Sequence, residues 1–114
     1  MESHIKVQEV EDQVQVSVGG RTVARSSSVQ LLLEGNLPPR HYFPREDVDM
    51  ELLTPSQSVT HCPHKGDAHY WSIKFDNHDL EDVVWSYETP IEAMSAISGL
   101  LCFYDERVEL EIGD

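Results

Sequence analysis

The sequence predicts a small, mainly β domain, similar to a β-barrel or a β-sandwich, with one or two short helices. The chain has 114 residues, the usual size of one domain, so we expect residues 1–114 to form a single domain. Apolar and polar residues alternate with the period of two that strands require, and turn residues recur at short spacing. Hydrophobic residues make up 39% of the chain and charged residues 25%, which favours a folded domain over a disordered one.

Turn signals divide the first third of the chain into strands. Residues 1–12 are expected to be either a flexible segment or an edge strand. Val14–Val18 alternates strictly, and Gly19-Gly20 separates it from a second alternating run, which together predict a β-hairpin. The apolar run at 29–33 fits a buried strand.

The rest of the chain follows the same patterns. The predictions are one or two helical turns at 45–53, a turn or loop at 55–58, a strand at 68–75, a polar turn at 76–79 and a strand at 83–87. The best helix candidate is 90–100, because Pro90 suits a first turn, apolar residues recur at helical spacing, and Thr89 and Gly99 are positioned to cap its two ends. Segments 101–104 and 108–112 are predicted to pair as a closing hairpin.

The charge balance excludes some classes of partner. Eight Lys and Arg stand against 21 Asp and Glu, a net charge of −13, which opposes the basic surfaces that nucleic acids and anionic membranes require. No apolar run approaches the roughly 20 residues of a transmembrane helix. The first residues do not resemble a secretory signal, and two cysteines do not make a disulfide framework, so we expect a cytoplasmic protein.

Cys62 is the candidate catalytic residue. His61, His64 and Lys65 lie within three residues of it, and positive charge beside a sulfur favours the reactive thiolate. A buried, unreactive thiol is the alternative, because free cysteine is among the most buried residue types. Cys102 stands in an apolar run and is expected in the core.

The cluster of His61, Cys62 and His64 also consists of metal-ligand types. A structural zinc site takes four ligands, usually paired through short spacers, and a Cys-x-x-Cys pair is absent from the sequence. Neighbouring strand residues also point to opposite faces, which splits the cluster. We therefore predict no metal site and no cofactor. Metal binding by His61, Cys62 and His64 stays an open alternative.

Cations and aromatic residues gather at 42–48 and 62–70, which favours a pocket between these segments. Arg45 and Lys65 are suited to clamp a carboxylate or a phosphate, with ion pairing to neighbouring acids as the alternative. Aromatic residues at alternating positions would supply a cavity wall, and ordinary core packing explains them as well. The predicted ligand-binding residues are Tyr42, Arg45, Asp47, Lys65, Tyr70, Trp85 and Tyr87.

Five strings of residues resemble a known family. They are Val-Ala-Arg-Ser at 23–26, Tyr-Phe-Pro-Arg-Glu-Asp-Val at 42–48, Cys-Pro-His-Lys-Gly-Asp-Ala-His-Tyr-Trp-Ser at 62–72, Trp-Ser-Tyr-Glu-Thr-Pro at 85–90 and Phe-Tyr at 103–104. Together they resemble the domain of unknown function 427 family, which is labelled nucleotidyltransferase-like. The resemblance implies a β-rich single domain similar to the β-tent fold. It assigns no chemical role to any residue.

The predicted function is the binding of a small anionic or polar ligand between 42–48 and 62–70. One alternative is a thiol-dependent redox or transferase enzyme that uses Cys62, and another is a structural or protein-interaction module. Whether the domain is an enzyme stays open. An exposed strand edge would also allow a homodimer.

Overall fold

Two antiparallel β-sheets build the structure, a computed structural model that describes residues 5–75 and 78–113. The strands are β1 (Ile5–Glu9), β2 (Val14–Val18), β3 (Arg21–Ser26), β4 (Gln30–Glu34), β5 (Arg40–Phe43), β6 (Leu53–Cys62), β7 (Gly66–Phe75), β8 (His78–Ser86), β9 (Leu101–Phe103) and β10 (Glu109–Ile112). Short 3₁₀ helices occupy Arg45–Asp47, Met50–Leu52 and Glu92–Ile97. The prediction of a mainly β fold with few short helices is confirmed.

The larger sheet has seven strands in the order β1-β4-β5-β9-β8-β7-β6, and the smaller has three in the order β10-β2-β3. The strands β2 and β3 form the predicted hairpin. Gly19 and Gly20 make its turn with φ of 57° and 83°, a left-handed conformation that glycine adopts without a steric cost. Within the described residues the sheets pack on each other and do not close into a barrel.

The apolar core lies between the two sheets. Val14, Val16 and Val18 of β2 are buried, because alternation points every second residue of the strand inward. They pack in one cluster with Phe43 and Phe103 of the larger sheet. The two phenylalanine rings meet edge to face with centroids 5.5 Å apart, and burying a side chain of this size contributes about 1.5–3 kcal/mol.

The opposite face of the larger sheet carries a second cluster of different composition. Its buried members are Leu32, Tyr42, Ala68, Tyr87, Met94, Ile97 and Cys102. Met94 and Ile97 come from the Glu92–Ile97 helix, which packs on this face beside the strands. Both faces of the larger sheet are therefore partly covered, one by a sheet and one by a single short helix.

Two predicted elements differ in type. The segment 55–58 is not a loop but part of β6, an edge strand with a register shift between Pro55 and Val59. An edge tolerates proline because it need not donate every ladder hydrogen bond. The expected helix at 90–100 shortens to Glu92–Ile97 and has non-helical dihedrals at Met94. The spacing of its two buried residues fits the period of three of a 3₁₀ helix.

The capping prediction for this helix is wrong at its start. Ile91 rather than Thr89 is the N-cap, and it makes no side-chain capping hydrogen bond. Gly99 follows the helix with φ of 73°, consistent with a helix end. The predicted helical turns at 45–53 and the strands at 29–33, 68–75 and 83–87 are confirmed as elements.

The predicted closing hairpin is wrong. The strand β9 lies between β5 and β8 in the larger sheet, whereas β10 pairs with β2 in the smaller one. Alternation shows that a segment forms a strand but does not name its partner. Of the polar turn expected at 76–79, residues 76–77 lie outside the described residues, and positions 78–79 belong to β8.

Candidate functional site

A cavity of about 320 Å³ opens on the face of the larger sheet that points away from the smaller sheet. Its lining residues are Leu32, Arg40, Tyr42, Lys65, Tyr70, Asp82, Trp85, Tyr87 and Tyr104. This volume is in the range of small-molecule sites. All four tyrosines of the chain line this one cavity.

The sheet register explains why aromatic residues meet there. Tyr42 pairs with Cys102, Cys102 with Trp85, and Trp85 with Tyr70. Directly paired residues of neighbouring strands point to the same face, so these side chains form one row across β5, β9, β8 and β7. The rings of Tyr70 and Trp85 lie 6.4 Å apart at 46°, and those of Trp85 and Tyr104 lie 6.2 Å apart at 83°.

Lys65 places an ammonium group in the wall of the cavity. Its side chain is only 10% exposed, and Nζ donates to Glu34 Oε1 over 2.6 Å. Nζ also lies 6.0 Å from the centroid of the Tyr87 ring, within the range of a cation–π interaction. A charge this deeply placed requires partners, and Glu34 supplies one of them.

The local sequence around Lys65 fixes its position. The Lys65 N–H donates to the carbonyl of Cys62 over 3.0 Å, which closes a tight turn with Pro63 at a position that favours proline. Gly66 has φ of 125°, and a Cβ on it would lie 3.2 Å from Pro90 Cα. The Lys65 carbonyl accepts from the N–H of Ile91 over 2.9 Å. The Cys-Pro-His-Lys-Gly segment therefore forms a tight turn that fixes the position of Lys65.

Arg40 is a second cation of the site and was not predicted from the sequence. Its guanidinium carbon lies 5.4 Å from the ring centroid of Trp85 and 5.3 Å from that of Tyr104. Nη1 donates to Glu106 Oε1 over 3.2 Å. Burial opposes the charge of Arg40, but the hydrogen bond and the charge of Glu106 raise its pKa. The sequence feature that could have identified Arg40 is its position two residues before Tyr42, because alternate residues of a strand lie on the same face.

The buried phenols of the site are neutral. Tyr42 is 1% exposed, and its hydroxyl accepts from Trp85 Nε1 over 3.2 Å. Burial raises the pKa of Tyr42 and that of Tyr87 well above the ordinary value of tyrosine. Neutral phenols can donate hydrogen bonds, which suits a polar or anionic guest.

Asp82 brings a carboxylate to the edge of the cavity from an unusual backbone conformation. Its φ is 55°, which is uncommon outside glycine but tolerated by aspartate. The carboxylate accepts from Ser58 Oγ over 2.7 Å, and hydrogen bonds from Ser56 and Ser58 lower its pKa. The irregularity lets both Val83 and Val84 reach the apolar core, while Trp85 faces the cavity.

Asp105 lies in the turn after β9, beside Arg40. Its Oδ1 is buried and has no hydrogen-bond partner among the described residues. Burial raises the pKa of Asp105 to about 6, against the opposing attraction of Arg40. This carboxyl therefore titrates close to neutral pH.

The structure brings together five of the predicted ligand-binding residues: Tyr42, Lys65, Tyr70, Trp85 and Tyr87. Arg45 and Asp47 do not line this cavity. Arg45 Nη2 donates to Glu88 over 2.8 Å and its guanidinium stacks on Trp71. Asp47 accepts from Ser26 Oγ over 2.6 Å. The cause is the 3₁₀ turn after Pro44, which carries both residues away from the end of β5.

Two of the three groups expected to flank Cys62 pair with carboxylates. His61 Nδ1 lies 2.7 Å from Asp67 Oδ1, and Lys65 pairs with Glu34. Cys62 is a half-buried free thiol at the side of the second cluster, and Cys102 is fully buried. Burial raises the pKa of the Cys102 thiol well above its ordinary value. Within 5–75 and 78–113, no three His, Cys, Asp or Glu side chains cluster as a metal site would require.

Among the described residues, no helix has the length and apolar character needed to cross a membrane.

Together these features define a β domain that carries a cavity with aromatic rings and two cations in its wall. The chain belongs to the family described as Domain of unknown function (DUF427), whose family model, named NTP_transf_9, matches residues 6–114. The resemblance drawn from the five strings is thereby confirmed. No curated protein matches the chain.

Proposed function

We propose that this domain binds a small anionic or polar molecule in the tyrosine-lined cavity. The observation that carries the proposal is the position of Lys65, whose side chain is 10% exposed in a wall shared with all four tyrosines. A fold stabilised by packing alone has no need to bury a lysine, because desolvating a charge is costly. The apolar core of the same protein contains valine, leucine, isoleucine and phenylalanine instead.

The chemistry of the wall fits such a guest. The ammonium of Lys65 and the guanidinium of Arg40 attract negative charge, and neutral phenols donate hydrogen bonds. The ring faces of Trp85, Tyr70 and Tyr104 offer apolar surface for a flat molecule. A few convergent polar groups in an otherwise aromatic hollow are typical of small-molecule sites.

Binding is tested with wild-type protein and the variants Lys65→Met and Arg45→Met. The probes are benzoate, inorganic phosphate and ATP with Mg²⁺, the last because the family name refers to nucleotidyl transfer. We expect saturable binding of at least one probe by calorimetry, weakened about tenfold or more by Lys65→Met, as loss of a charged hydrogen bond predicts. Arg45→Met is the matched control, since it removes a cation outside the cavity and leaves the affinity unchanged.

Two results would refute the proposal. One is that no probe binds the wild-type protein at millimolar concentration. The other is that Lys65→Met and Arg45→Met bind the probes equally well, which would place binding elsewhere on the surface.

We also propose, from the state of the two cysteines, that the domain lies in a reducing, cytoplasmic compartment. Cys62 and Cys102 are both free, as is usual where thiols are kept reduced. Trapping thiols at the moment of cell lysis checks this, and the expected result is two alkylated cysteines per chain. An intermolecular disulfide through Cys62 in the trapped protein would contradict it.

A further inference from the structure

The charges around the cavity do not favour every anion equally. Lys65 has a carboxylate partner in Glu34, 2.6 Å away, and Arg40 has one in Glu106, 3.2 Å away. Asp82 adds a further carboxylate at the cavity edge. Asp105 lies beside Arg40 as a fourth carboxylate. Two positive charges therefore stand against four carboxylates, so the site as a whole is not electropositive.

Such a balance penalises a guest in proportion to its charge. Each Coulomb energy scales with the charge of the ligand, so a dianion is repelled twice as strongly by the same carboxylates as a monoanion. Sites that hold phosphate groups usually provide an excess of Arg, Lys or backbone N–H donors. Here each cation already has a carboxylate partner, so the site offers a dianion no such excess of positive charge.

The walls add a second restriction, on shape. Trp85 stands between Tyr70 and Tyr104, with ring centroids 6.4 Å and 6.2 Å away. Aromatic surfaces of this kind pack best against flat, aromatic guests. The Lys65–Glu34 pair also shows that the ammonium donates to a carboxylate oxygen in this position.

Resting on the proposed function, we propose that the cavity selects a small aromatic monocarboxylate, and that Glu34 is the residue that excludes dianions such as phosphate esters. Glu34 ends β4, and its side chain is 23% exposed and contacts the cavity-lining residue Lys65. It acts through Lys65 by opposing the attraction that this cation exerts on a negatively charged guest. Glu34 is thus a specificity-determining residue.

The experiment compares benzoate, cyclohexanecarboxylate and phenyl phosphate at pH 8, where the phosphate ester is a dianion because its second pKa is about 6. Wild-type protein is expected to bind benzoate at least about fivefold more tightly than either of the others. In Glu34→Gln, benzoate should gain about threefold and phenyl phosphate about tenfold, because doubling the ligand charge squares the factor. The selectivity for benzoate over phenyl phosphate therefore falls by about threefold.

Two further variants make the comparison decisive. Asp67→Asn removes a carboxylate that pairs with His61 on the exposed surface, and it should leave the selectivity unchanged. Glu106→Gln relieves Arg40 in the same way and should shift selectivity in the direction of Glu34→Gln. It serves in place of Glu34→Gln if that variant fails to fold, which circular dichroism would show.

The outcomes separate this inference from the proposed function. If benzoate binds but phenyl phosphate or cyclohexanecarboxylate binds equally well, or if Glu34→Gln leaves the selectivity unchanged, the inference is wrong and the binding function stands. If neither the wild-type protein nor Glu34→Gln binds any probe, the proposed function fails and the inference falls with it.

Discussion

The two faces of the larger sheet differ in chemistry although the same strands supply both. In β5, Phe43 packs in the apolar core, and its neighbour Tyr42 carries a hydroxyl into the cavity wall. In β9 and the residue after it, Phe103 and Tyr104 repeat this division. The comparison shows that neighbouring residues of one strand, which point to opposite faces of the sheet, serve different functions. One set stabilises the fold, and the other keeps polar groups that stability does not require.

The largest expected effect comes from two single substitutions at adjacent residues, one that adds a hydroxyl at Phe43 and one that removes the hydroxyl of Tyr42. Phe43→Tyr places a hydroxyl in a site that is fully buried among apolar side chains, and should cost about 2–4 kcal/mol of unfolding free energy. Tyr42→Phe removes the acceptor of Trp85 Nε1 and should cost only about 1 kcal/mol. Urea denaturation of both variants measures the difference. Equal losses would mean that the two faces are not chemically distinct.

The next effect concerns the turn that aims Lys65. Gly66→Ala forces a Cβ to within 3.2 Å of Pro90 Cα at φ of 125°, and should destabilise the fold by about 1–3 kcal/mol. It should also weaken benzoate binding, because the strain displaces Lys65. Gly20→Ala is the control, since its φ is also positive but a Cβ there meets no atom within 4 Å. If Gly66→Ala lowers stability but leaves benzoate binding unchanged, the turn does not determine the position of Lys65.

The smallest expected effect concerns the free energy of unfolding that is lost when Asp105 is charged in the folded state. The pKa of Asp105 is about 6 in the folded state and near 3.9 in an unfolded chain. Between these values the folded state binds more protons at Asp105, so the contribution of this carboxyl to stability falls as pH rises from about 4 to 6 and stays reduced above that. Asp105→Asn should match the wild type near pH 4 and exceed its unfolding temperature by roughly 5 °C at pH 8. A difference that does not change with pH would show that Asp105 carries no such cost.

Local patterns predicted the strands of this fold but not their partners. The hairpin at Gly19-Gly20 was predictable because both its strands and its turn are contiguous in the sequence. The partners of β9 and β10 were not, because each is set by the packing of distant segments. The left-handed conformation of Asp82 also lay beyond prediction, since the bonds from Ser56 and Ser58 that hold it come from another strand.

The site was predictable to the extent that it follows alternation. Tyr70, Trp85 and Tyr87 were placed in a cavity wall by their positions along strands, and the structure brings them together there. Arg45 was chosen for its chemistry and its place near Tyr42, but the turn after Pro44 carries it away. Arg40 has the same chemistry and the correct strand face, so the period of two was the better guide.

The pairing of β10 with β2 has a consequence for how the chain acquires its fold. It joins residues 109–112 to 14–17, so every strand of the larger sheet except β1 belongs to the loop that this contact closes. Closing so long a loop is entropically unfavourable until the intervening strands are ordered. We therefore expect the smaller sheet to be completed late in folding, after the strands between β2 and β10 have become ordered.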